Sequence, residues 1–177
     1  MSILKVARMG HPVLRAKTRA IERSDIKTAT VQKLIDDMLD TMAEYHGVGL
    51  AAPQVHEGLR LFVASLDAGE GGEPDEPQVI INPEITVVGT DIVEDWEGCL
   101  SIPDIRGRVP RAREIKVRAL DRHGERLQLS AHDFAARVIQ HETDHLDGVL
   151  FFDRMKSLDT LTFLDEFGKY WSSRRDQ

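Results

Sequence analysis

The chain has 177 residues, 41% of them hydrophobic, and a formal net charge of −7. That length supports one hydrophobic core and predicts a single domain spanning 1–177. The acidic balance argues against direct nucleic-acid binding, and no apolar run reaches the length of a membrane span, so neither nucleic acid nor a membrane is expected as a partner.

The opening Met1-Ser2-Ile3-Leu4-Lys5 does not read as a signal peptide. A cytoplasmic protein is expected, or an organellar one after removal of a targeting segment. His11, beside Pro12, is expected to be structural. The first helix is predicted at about 27–45, because Val31, Leu34, Ile35, Met38, Leu39 and Met42 recur with 3.6-residue periodicity. The run Gly47-Val48-Gly49-Leu50-Ala51-Ala52-Pro53-Gln54 follows it. Its glycines permit close backbone approach to a ligand, although such a stretch alone marks only a tight loop.

Strands are predicted near 59–66 and 78–88. They flank Asp67 to Pro77, whose Gly, Glu and Pro content predicts a mobile surface loop. A chain of strand-like segments from 91 to 129 comes next. Within it, Ile115, Val117 and Ala119 alternate with Lys116 and Arg118, and Asp121-Arg122-His123-Gly124 predicts a hairpin turn. Arg106, Arg108, Arg111 and Arg113 read as a solvated basic hairpin.

A second helix is expected at 131–146, with Ser130 and Asp133 forming its capping box and Gly148 following its end. A last helix from about 157 carries Phe163, Leu164, Phe167, Tyr170 and Trp171, a stripe expected to pack on its own domain. The fold class is therefore α+β, with antiparallel sheets packed around the central helix at 131–146 and flanked by N-terminal and C-terminal helices.

The second helix carries the main chemical signal, His141-Glu142-Thr143-Asp144-His145. Residues i and i+4 share a helix face, so the two imidazoles project together with Glu142 beside them, the arrangement of an H-E-x-x-H metal site. The apolar stripe through Phe134 and Val138 runs into the same face, so the ligand face is the core face. Buried imidazoles and a carboxylate without a cation would each need a separate partner.

A third ligand is required if one position stays open for water. The metalloprotease continuation H-x-x-G-x-x-H fails, because Phe151 stands where its last histidine would be. Glu166 lies near the distance at which a thermolysin-like enzyme takes its glutamate ligand. The alternative is Cys99, the only cysteine, in Glu97-Gly98-Cys99-Leu100-Ser101-Ile102-Pro103. A lone cysteine is by default a small buried hydrophobe.

In the order G-x-G-x-A-A-x-Q, E-G-C-x-S and H-E-x-x-H, the three motifs together resemble the peptide deformylase family, from about residue 5 to residue 155. The resemblance implies a metal-dependent hydrolase that removes the formyl group from the N-terminal formyl-methionine of newly made polypeptides. It implies Cys99, His141 and His145 as ligands of one divalent metal, Fe²⁺ first, with Zn, Ni or Co as alternatives. Glu142 matches the general acid/base, and Gln54 with the Leu100 backbone N–H matches the pair that holds the carbonyl oxygen. Substrate contacts are implied at Val48 and Gly49, with Val48, Phe134 and Val138 walling the methionine pocket.

Arg137 departs from the most apolar version of that wall, and its head is expected at the rim, in water. Glu97 is expected to pair with Arg106 and steady the Cys99 loop, and Asp144 to orient a ligand histidine or face water. The implied partners are N-formyl-methionyl nascent peptides, with the ribosome as a further candidate. Two other readings stay open: an endopeptidase with Glu166 on its zinc, and a binding protein that keeps only the fold.

Overall fold

The computed structural model describes residues 2–66 and 76–172. The loop expected at Asp67 to Pro77 lies mostly outside the described residues. Helix α1 is one short turn, Arg23–Ile26, and α2 spans Ala29–Glu44. The α2 N-terminus is capped by the Thr28 hydroxyl, which accepts from the Val31 N–H. Strands follow at β1 Gly49–Ala51, β2 Leu61–Ala64, β3 Gln78–Cys99, β4 Ile102–Leu120 and β5 Arg126–His132, then helix α3, Asp133–Leu146. Strand β6, Thr162–Phe163, and helix α4, Leu164–Tyr170, close the described chain.

The strands pair antiparallel in the order β1-β2-β3-β4-β5, and β6 pairs with the first half of β4. Strand β2 shows why the sheet needs helices on both faces. Its four residues are all buried, and they alternate between two cores: Leu61 and Val63 pack with the α2 side chains Val31, Ile35, Met38 and Met42, while Phe62 and Ala64 pack with Ala136, Val138 and Ile139 of α3. A third core beneath the β3–β4 tip joins Cys99, Ile102 and Val109 to Leu14, Leu150 and Phe151. Among the described residues, no helix is long and apolar enough to cross a membrane.

Two boundaries differ from expectation. Ser130 does not cap α3, because it is paired with Lys116 inside β5, which runs directly into the helix; His132 occupies the N-cap without a side-chain bond. The last helix begins at Leu164 rather than near 157, since Thr162 and Phe163 are spent pairing with Arg106 and Ile105. The turn at Asp121 to Gly124 forms as expected: Gly124, at φ 75°, donates to the Asp121 carbonyl. Gly148, at φ 73°, follows the α3 C-cap.

Candidate metal centre and substrate cleft

The face of α3 that joins the core brings His141 and His145 together, their ring centroids 5.0 Å apart. The β3–β4 tip delivers Cys99 to them, with Sγ 3.2 Å from His145 Nε2. One donor atom from each of Cys99, His141 and His145 falls within 4.8 Å of the others, and all three residues are buried. Such a cluster cannot be planned by any one element. It requires the end of the 22-residue β3 to meet α3, and the β3–β4 pairing carries register breaks at Ile81/Glu84, Val88/Ile92 and, beside the thiol, Glu97/Cys99.

The electrostatics suit a cation. Burial works against a Cys99 thiolate, yet the charge of His145 and hydrogen bonds from His141 and His145 hold the thiol well below its usual value. Glu97 Oε2 lies 2.8 Å from His141 Nδ1, so Nε2 is the ring nitrogen that remains for a metal. At this site His145 Nδ1 and Glu142 Oε2 are buried with no hydrogen-bond partner among the described residues. A thiolate and two imidazoles, with an unpartnered carboxylate oxygen beside them, fit a divalent transition metal. Burial raises Glu142 above the ordinary carboxylate range, against the pull of His141 and His145.

Gln54 sits 1% exposed in the short 3-10 turn Ala52–Val55 after β1. Its Oε1 accepts from the Ala51 N–H at 2.8 Å, which orients the amide so that Nε2 reaches Cys99 Sγ at 3.5 Å and Ser101 Oγ at 3.2 Å. Gly49 explains itself by proximity, because a Cβ there would lie 2.3 Å from Glu142 Oε1. Leu100, half-buried, turns the chain between β3 and β4 beside Gly47.

These groups open onto a cavity of about 550 Å³, lined by Val48, Gly49, Gln54, Phe134, Val138 and Leu100 among others. Every site residue expected from sequence therefore lies at one cavity or, for His145, directly behind it against Cys99. Glu166 does not: it is on α4, bonded to Lys169 Nζ at 2.6 Å, and is outside the cluster that could hold a metal among the described residues. His11, His46, His56, His123 and His132 are exposed.

The supporting ion pairs were not legible in the sequence. Glu97 pairs with Arg111 and Arg137, at 2.9 Å and 2.8 Å, rather than with Arg106, which bonds to the Ile105 carbonyl. The bond from His141 and the Arg111 guanidinium outweigh burial and hold the Glu97 carboxyl far below the usual range. Arg137 keeps its head out of water because the Glu97 carboxylate and the Val93 and Val109 carbonyls supply partners between α3 and the long hairpin. Asp144 neither orients a histidine nor faces water; it bonds Arg111 at 2.5 Å and Arg154 at 2.7 Å. Arg111 is therefore buried, not part of a solvated hairpin. The alternation of β4 was the available signal, since Val109 and Arg111 point to the same inward face.

Removing this one guanidinium leaves Glu97 and Asp144 short of a partner in a dry site. Arg111→Ala is expected to lower unfolding stability by about 3–5 kcal/mol. Urea denaturation of metal-free protein measures it, and a loss below about 1 kcal/mol would mean that water replaces the bonds.

Comparison with known proteins agrees with the motifs. The family model described as polypeptide deformylase matches residues 3–161. Peptide deformylase 2 of Nostoc sp. is 47% identical over 164 residues, covering 90% of each chain. A peptide deformylase from Acinetobacter baumannii, solved with Met-Ala-Ser bound, is 37% identical with a TM-score of 0.80, covering 88% of this chain and all of that one. A plant peptide deformylase structure is 40% identical with a TM-score of 0.80, covering 96% of this chain and 87% of that one. The chain belongs to the polypeptide deformylase family, metal-dependent hydrolases that remove the N-formyl group from newly made polypeptides.

Proposed function

We propose that one catalytic domain spanning 1–177, with α3 at its centre, deformylates N-formyl-methionyl nascent chains at the Cys99-His141-His145 cluster. The observation that carries this reading is the three donor atoms within 4.8 Å, with Glu142 Oε2 buried and unpartnered. Fe²⁺ is the proposed metal, with Zn, Ni or Co as substitutes; the thiolate and imidazole donors accept all four. When bound, such an ion lowers the pKa of water and polarises a carbonyl oxygen.

The protein's own groups complete the reaction. Glu142 takes the proton of the attacking water and returns it to the leaving amine, which frees formate and a new peptide N-terminus. The buried Glu142 carboxylate, with Oε2 without a partner among the described residues, is placed to carry that proton. The Gln54 amide and the Leu100 N–H donate to the oxygen that becomes negative during attack. Val48 and Gly49 offer backbone to an extended peptide, and Phe134 and Val138, with Val48, wall the methionine side chain. That the A. baumannii relative holds Met-Ala-Ser supports this placement of a methionine peptide. The compartment is the cytoplasm or an organelle that makes formylated chains, and the ribosome is the place where substrate is met.

The direct test is formate release from formyl-Met-Ala-Ser by anaerobically prepared, metal-loaded protein. One formate per free amine is expected, and no formate would overturn the reading. Gln54→Ala removes a donor aimed at charge that develops only in attack. Its kcat is expected to fall about 10²–10³-fold with KM little changed. A large rise in KM at unchanged kcat would instead assign Gln54 to ground-state binding.

A further inference from the structure

We infer that the C-terminal segment forms a wall of the substrate cleft, reading the residues that follow formyl-methionine, and that Leu164 is the apolar side chain it presents to them. The inference rests on the deformylase reading for the identity of the peptide. The family match ends at residue 161, so Leu164 lies outside the matched residues.

The segment is fastened on the cleft side of the β3–β4 tip at three points. Strand β6 pairs Phe163 with Ile105 and Thr162 with Arg106. The Thr160 hydroxyl accepts from the Arg108 N–H at 3.1 Å. Phe167 and Trp171 lie against Trp96, with ring centroids 4.9 Å and 5.5 Å away. Leu164, Trp96 and Arg106 consequently line the same cavity as Cys99 and Glu142. Leu164 is 40% exposed, an apolar group left open to that space rather than packed away.

Its position selects which substrate residues it meets. Cys99 pairs with Ile102, and the β6 attachment begins three residues on, at Ile105. Leu164 follows directly on Phe163, which is held beside Ile105 rather than beside Cys99, so it faces substrate residues beyond the one at the metal donors. The methionine side chain, by contrast, is served by Phe134 and Val138, on the helix that carries the histidines. Peptides with apolar residues after formyl-methionine are thus the preferred substrates.

The test compares formyl-Met-Leu-Leu with formyl-Met-Gly-Gly in the metal-loaded full chain. Leu164→Ser is expected to lower the ratio of their kcat/KM values about tenfold, through KM for the leucine peptide, as loss of a small apolar contact does. Leu164→Met restores the ratio. Phe167→Ala, which loosens α4 from Trp96, lowers it likewise. Leu158→Asp, at a residue 65% exposed and away from the cavity, leaves it unchanged. Calorimetric affinities for Met-Leu-Leu and Met-Gly-Gly give the same ratio without turnover. If the parent protein released no formate, the deformylase reading would fail, while a Leu164-dependent affinity ratio would still sustain the wall. Equal ratios for parent and Leu164→Ser by both measurements would overturn the inference.

Discussion

Replacing Glu142 with alanine is expected to leave metal content intact and to lower deformylation of formyl-Met-Ala-Ser by about 10²–10⁴-fold, the range that a positioned proton carrier contributes. The buried carboxylate projects toward Gly49 with its Oε2 unpartnered, so its removal sacrifices no hydrogen bond at that atom and should not unfold the chain. Its charge is disfavoured by burial. Elemental analysis and steady-state kinetics on the same preparation separate the two roles. Near-normal turnover would remove Glu142 from the mechanism, and loss of metal would make it a ligand.

Cys99→Ala has the second large effect, and it acts before chemistry. With the thiolate gone, two imidazoles remain, and metal affinity is expected to drop more than about 100-fold, beyond the usual effect of losing an outer-shell partner. Glu166→Ala is expected to change nothing, because Glu166 is on α4 in contact with Lys169. Metal content of the two variants after dialysis decides between a Cys-His₂ site and the endopeptidase alternative. Full retention by Cys99→Ala would sink the assignment, and the element found in the parent protein identifies the metal.

The basic frame of α2 and α3 was readable because helix periodicity is a local property. Val31, Ile35, Met38 and Met42 are buried where their spacing placed them, and His141 and His145 share a face because i and i+4 always do. The alternation Ile115, Val117 likewise predicted an inward face of β4, and both residues are fully or almost fully buried. Boundaries were less readable. The start of α3 and of α4 depended on long-range strand pairing, of Ser130 with Lys116 and of Thr162 with Arg106. Capping residues and an apolar stripe do not reveal that competition.

Sequence by itself determined the candidate chemistry: the identity and order of Gln54, Cys99, His141, Glu142 and His145, which fix the types of donor and carboxylate the chain can supply. Only the tertiary structure decided how that chemistry is supported. Glu97 had several arginines within reach along the chain, and the fold chose Arg111 and Arg137, because β4 and α3 point them into the same dry interior. Arg137 looked like a solvated cation until the β3 and β4 carbonyls closed around it. Leu164 looked like one member of a packing stripe until β6 turned it toward the cleft. A buried charge takes whichever partner the packed backbone brings within hydrogen-bonding distance, and that distance is a property of the assembled fold rather than of residue spacing.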